Sequence, residues 1–142
     1  MTAKALRPQM LRSRSIEIPC PCGRIYVHVS FDTEGRPFEI FARLGKSGGC
    51  GAAVTGAITT TASIALRSGT DPGDIAKGLI GISCHRATAI DKGRPIVSCA
   101  DAIGRALKEL SEEFSTDNIQ DQKPMGCLEW NFGTLVTTHF SR

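Results

Sequence analysis

The chain changes its hydrophobic period once, near residue 45, and that change restricts the folds open to it. Before it, apolar and polar residues alternate. Ile16 and Ile18 alternate with Ser15 and Glu17, and Ile25, Val27 and Val29 alternate with Arg24, Tyr26 and His28. Phe38, Ile40 and Ala42 then alternate within Pro37 to Leu44. A period of two over these runs predicts strands at about 14–19, 24–31 and 37–44. Cys20-Pro21-Cys22-Gly23 and Asp32-Thr33-Glu34-Gly35-Arg36 are turn sequences, so the three runs read as an antiparallel meander.

After residue 45 the period becomes helical. Gly45-Lys46-Ser47-Gly48-Gly49 feeds a helix from about Cys50 to Arg67, with Val54, Ile58, Ala62, Ala65 and Leu66 as its apolar stripe. Ser68-Gly69 ends it. Asp71-Pro72, an N-cap followed by proline, opens a short helix to Gly78. Leu79 to Ser83 is a short extended piece ending at Cys84, and 85–96 reads as a polar loop. Ser98 N-caps a last helix, Cys99 to Phe114, with Ile103, Ala106, Leu107 and Leu110 inward and Asp101 placed to accept from first-turn amides. The expected fold is α+β: a β-meander followed by two or three packed helices. Residues 1–14 form a basic arm, 15–114 the domain, and 115–142 a linker and tail, with a hairpin around Asn131-Phe132-Gly133.

The chain has 142 residues, enough for one domain with its own core. The first ten residues carry no apolar stretch of the signal-peptide kind. The uncharged run Ser47 to Leu66 holds four glycines and four threonines, which reads as a buried or interface helix and not a membrane span. A cytoplasmic, reducing setting follows as the expectation. There, six cysteines favour metal ligation or free thiols over disulfides. The net charge is +3, while Lys4, Arg7, Arg12 and Arg14 alone contribute +4, leaving −1 for the rest. The arm is either a phosphate- or nucleic-acid-binding segment or a solvated chain end.

Four cysteines sit beside glycine or at an element boundary: Cys22, Cys50, Cys84 and Cys99. Cys50 and Cys99 begin helices, where amide dipoles favour a thiolate. Four such sulfurs suit a closed, structural zinc site, with Cys20 and His85 as spare donors. The alternatives are small buried thiols and a Cys20–Cys22 dithiol, strained by its one-residue spacer. The Gly45–Gly49 loop lacks the leading glycine of a phosphate loop, because Ile40 occupies that position. Lys46, Ser47, Gly48 and Gly49 with Arg43 remain a candidate nucleotide or anion cradle. The other reading of that loop is a turn that lets Cys50 reach the cysteine site. His28, His139 and Cys127 read as ordinary residues, and no catalytic Ser/His/Asp or paired-carboxylate motif is present.

Six blocks occur in a familiar order: Cys22-Gly23-Arg24-Ile25-Tyr26-Val27, Gly35-Arg36-Pro37-Phe38-Glu39-Ile40-Phe41, Leu44 to Cys50, Ala65-Leu66-Arg67-Ser68-Gly69, Leu79 to Cys84, and Ser98-Cys99-Ala100-Asp101-Ala102-Ile103. Over roughly 15–112 the chain resembles the TSCPD domain, a module found at the C-terminal end of many adenosylcobalamin-dependent (class II) ribonucleotide reductases and also as a free-standing protein. The resemblance places cysteines at the same four blocks and implies a role attached to ribonucleotide reduction, with the reductase catalytic chain as partner. The reductase barrel, with its radical cysteine, does not fit in this length, so no catalysis by the module alone is expected. Three departures stand out: Ala100 replaces the motif proline, His85 replaces the proline that often follows the third cysteine, and Ala57-Ile58-Thr59-Thr60-Thr61 replaces charged residues. The last suits a self-association surface, hence a homo-oligomer. The rival readings are an oligomeric nucleotide-binding or nucleotide-sequestering protein and a nucleic-acid-binding module.

Overall fold

The computed structural model describes residues 3–45 and 49–117. The three alternating runs form an antiparallel sheet in the order β1-β2-β3: β1 Arg12–Cys20, β2 Gly23–Phe31 and β3 Pro37–Leu44. Ile18 pairs with Ile25, and Ile25 with Leu44; Val29 pairs with Arg14 on one side and Ile40 on the other. One face therefore collects Ile18, Cys20, Ile25, Val27, Val29, Phe31 and Ile40, all buried. Cys20 belongs to the inward set because it continues the alternation of Ile16 and Ile18, and β1 runs through it to the turn.

Helix α3, Cys99–Asp117, lays Ile103, Ala106, Leu107 and Leu110 on that face, with Ala102 also buried. Near its far end Phe114 stacks on Phe31, ring centroids 4.1 Å apart. Helix α2, Pro72–Leu79, opens as expected: the Asp71 carboxylate accepts the Gly73 amide at 2.7 Å. It packs across α3 at Gly104, where an added Cβ would stand 2.8 Å from Leu79 Cβ and 3.0 Å from the Ala76 carbonyl. Only glycine allows so close a crossing.

Helix α1, Gly49–Arg67, lies along β3. Its buried side is Thr55, Thr59, Ala62 and Leu66, while Val54, expected inside, is 53% exposed. The reason is polar. β3 is an edge strand with free backbone groups, and Ser63 Oγ donates to the Ile40 carbonyl at 2.9 Å and accepts its amide at 3.0 Å. That pair of bonds sets the rotation of the helix and turns its hydroxyl side toward the sheet. By length and composition α1 is the one described helix that would suffice to cross a membrane. Gly69, with φ +89°, closes the helix while the Thr70 amide reaches back to the Ala65 carbonyl at 3.0 Å.

The stretch expected as a polar loop contains a hairpin, β4 Ala89–Asp91 and β5 Arg94–Ile96. Lys92 and Gly93 both have positive φ, the signature of a type I′ turn. Three-residue strands leave little periodicity to read in a sequence. The N-terminal segment is tied down at two places. The Ala5 amide donates to the Arg67 carbonyl at 2.9 Å, and Arg7 pairs with buried Glu39 at 2.9 Å. The hairpin expected around Asn131-Phe132-Gly133, and Cys127 and His139, lie outside the described residues.

Two substitutions test this packing. Thr55 Oγ1 is buried without a hydrogen-bond partner among the described residues. Thr55→Val should therefore raise stability by about 1 kcal/mol, seen as a higher melting temperature. Gly104→Ala should lower it by about 1–2 kcal/mol in urea unfolding, because overpacking at the crossing outweighs the gain in helix propensity.

Candidate metal centre

At the end of the sheet where β1 turns into β2, a cleft of about 730 Å³ opens between the sheet, the start of α1 and the start of α3. Cys22, Cys50, Cys84 and Cys99 all line it, and so do His85 and Arg86. The four cysteines singled out from the sequence thus reach one place from four distant segments. Among the described residues no Asp or Glu lines the cleft.

Each position has a local cause. The two-residue turn Pro21-Cys22 follows Cys20 directly, and Gly23, at φ +122°, starts β2 opposite Cys20. Cys99 is the first residue of α3, after the N-cap Ser98, whose hydroxyl accepts the Asp101 amide at 3.0 Å. Cys84 is brought alongside by a ladder of polar contacts. The Gly81 amide donates to Asp101 Oδ1 at 2.9 Å, Ser98 Oγ donates to the Ile82 carbonyl, and the Cys84 amide donates to the Val97 carbonyl at 3.1 Å. Asp101 Oδ2 also accepts the Val97 amide at 3.1 Å, and Arg105 Nε lies 3.0 Å from Oδ1. The carboxylate expected to serve first-turn amides instead serves the two strands of chain leading into the cleft. Ser98 and Asp101 are functional in this sense, and their Ser-x-x-Asp spacing was the signal.

The sulfurs are not equivalent. Cys20 and Cys99 are buried with Sγ atoms 3.7 Å apart, Cys22 is half-buried, and Cys50 and Cys84 are exposed. Burial pushes the Cys20 thiol above its usual range, against the Cys22 amide, which donates to its sulfur. Its electrostatic neighbours are the thiols of Cys22 and Cys84, with Cys99 in hydrogen-bond contact. Cys99 is pushed up further, first by burial and then by contact with Cys22 and Cys20. The helix start was expected to favour a Cys99 thiolate, but desolvation outweighs the dipole there. A bound dication reverses that balance by stabilising the thiolate directly.

Among the described residues no three His, Cys, Asp or Glu side chains stand close enough to hold a metal ion as placed, so the four-cysteine clamp expected from the sequence is not itself seen. The donor chemistry nevertheless fits a soft ion such as zinc. Among the described residues the cleft offers thiols and one imidazole and no carboxylate. With zinc–sulfur bonds of about 2.3 Å, the edge of a tetrahedral thiolate centre is about 3.8 Å, and the Cys20–Cys99 separation of 3.7 Å matches it. A disulfide would need about 2.05 Å.

The candidate anion cradle is divided. Arg43 is exposed on β3 and Gly49 starts α1 with φ +79°, but Lys46, Ser47 and Gly48 lie outside the described residues. Two charges of the basic arm have acidic partners: Arg7 with Glu39, and Arg14 with Glu113 at 3.6 Å.

Replacing Asp101 by alanine would orphan the Gly81 and Val97 amides together. The expected cost is about 2–4 kcal/mol in chemical denaturation, and a loss below about 1 kcal/mol would show that the amides find other partners.

Compared with known families, residues 1–111 match the profile described as the TSCPD domain. No curated protein and no solved structure matches the chain significantly.

Proposed function

The chain belongs to the TSCPD domain family, and on that premise we propose that it serves ribonucleotide reduction as an accessory module, docking on a reductase catalytic chain of the adenosylcobalamin-dependent class without performing the reduction itself. TSCPD domains are associated with ribonucleotide reductases. The observation that carries the reading is the extent of the match, which takes in all five described strands, α1, α2 and most of α3.

The cysteine cleft has the part of a structural joint in this reading. Zinc, held by donors drawn from Cys20, Cys22, Cys50, Cys84, Cys99 and His85, would supply a redox-inert crosslink. The protein's own residues do the positioning. The Cys20–Gly23 turn presents one wall, α1 another, and the Ser98–Asp101 ladder holds the Cys84 segment against α3. A joint of this kind adds stability that a small core lacks and keeps the outer surfaces in fixed relation. Those surfaces include the side of α1 that carries Val54, Thr61 and Ile64 and no charge.

The test is association with the catalytic chain. Mixed with a purified adenosylcobalamin-dependent reductase chain from the same cell, the protein should elute with it in gel filtration. Independent elution at micromolar concentrations, with and without nucleotides, would overturn the proposal.

A further inference from the structure

We infer that the metal donors are Cys20, Cys22, Cys84 and Cys99, and that Cys50, although it lines the same cleft, is not one of them. The inference rests on the proposal that the cleft takes a zinc-type ion; it concerns which sulfurs hold it.

Three observations converge on this set. The first is the Cys20–Cys99 pair, whose 3.7 Å separation matches one edge of a zinc–thiolate tetrahedron. The second is the backbone around Cys20. β1 points this residue inward beside Cys99, and the two-residue turn that follows brings Cys22 to the same end of the sheet, where it lines the cleft.

The third is mechanical. Cys84 sits in a segment without regular structure, so bringing its sulfur to the others needs only a local adjustment beyond its bond to Val97. Cys50 is exposed on the first turn of a 19-residue helix. That helix is anchored to β3 through Ser63 and Ile40. Its start is also pressed close, since a Cβ on Gly51 would stand 3.0 Å from Leu44 Cδ1 and 3.8 Å from Cys22 Sγ. Moving Cys50 inward means moving α1 as a body. Four thiolates around a dication leave two negative charges, and Arg86 lines the cleft where it can offset part of them.

The full chain, reconstituted with one equivalent of zinc under reducing conditions, decides the matter by metal content and by X-ray absorption at the zinc edge. The wild type and Cys50→Ser should each bind one zinc with four sulfur ligands. Cys20→Ser should lose the zinc or one sulfur. Because Cys20 is in the core, circular dichroism of that variant checks its fold, and the Cys50→Ser spectrum decides alone if it does not fold. Three sulfurs in Cys50→Ser, or four in folded Cys20→Ser, would overturn the donor set while leaving a zinc centre in place. A wild type that binds no zinc would instead overturn the metal reading beneath it, and the donor set with it.

Discussion

A buried carboxylate holds the cysteine cleft together. Asp101 is fully buried, and it accepts the amides of Gly81 and Val97 while Arg105, one helical turn on, supplies the countercharge. A carboxylate removed from water is costly unless its oxygens are filled, and here both oxygens have an amide and the guanidinium. The arrangement fixes three things at once. It orients the start of α3, and so Cys99; it fastens the chain leaving α2; and it sets the strand of chain from β5 into α3. With Ser98 closing the next rung onto Ile82, Cys84 is delivered to the same end of the sheet as Cys20 and Cys22.

The rest of the domain explains why that end is open. The sheet has one well-filled face, and α3 covers most of it with small and aliphatic side chains. α1 covers the free edge of β3, not the face, because Ser63 answers the unpaired groups of Ile40. At the β1–β2 turn neither helix body reaches across, and both helices begin there. A gap between two helix starts and a tight turn, walled by sulfur and, among the described residues, free of carboxylate, has the chemistry of a soft-metal joint. Such a joint would fix the relation of the module's outer surfaces.

Much of the fold was legible because each strand shows its face. The alternation of Ile25, Val27 and Val29 placed β2 correctly, and Asp71-Pro72 and Ser98 placed the starts of two helices. The inward residues of α3 were likewise visible in their spacing. α1 was located and most of its expected stripe lies inward, with Ala62 and Leu66 buried and Ile58 packed against the core, but Val54 is exposed. Its apolar residues suggested a stripe through Val54, while the Ser63 hydroxyl, which answers the edge strand at Ile40, set a rotation that brings Thr55 and Thr59 inward. Hydrophobic spacing cannot register that preference. The β4–β5 hairpin was missed because three-residue strands have no measurable period and its turn rests on Lys92 and Gly93 together.

The cysteines divide along the same line. The order of residues determined that thiols stand beside glycines and at element starts, and the six ordered blocks pointed to the TSCPD family. Those are local facts, written in neighbours along the chain. Which sulfurs meet is not local. Cys20 and Cys99 are far apart in sequence, and they touch because strand alternation points one inward and the Ser98–Asp101 contacts set the helix that carries the other. Cys50 had the same local signature as its partners. Only the anchoring of α1 on β3 keeps it at the rim, since a helix moves as a unit and a loop does not.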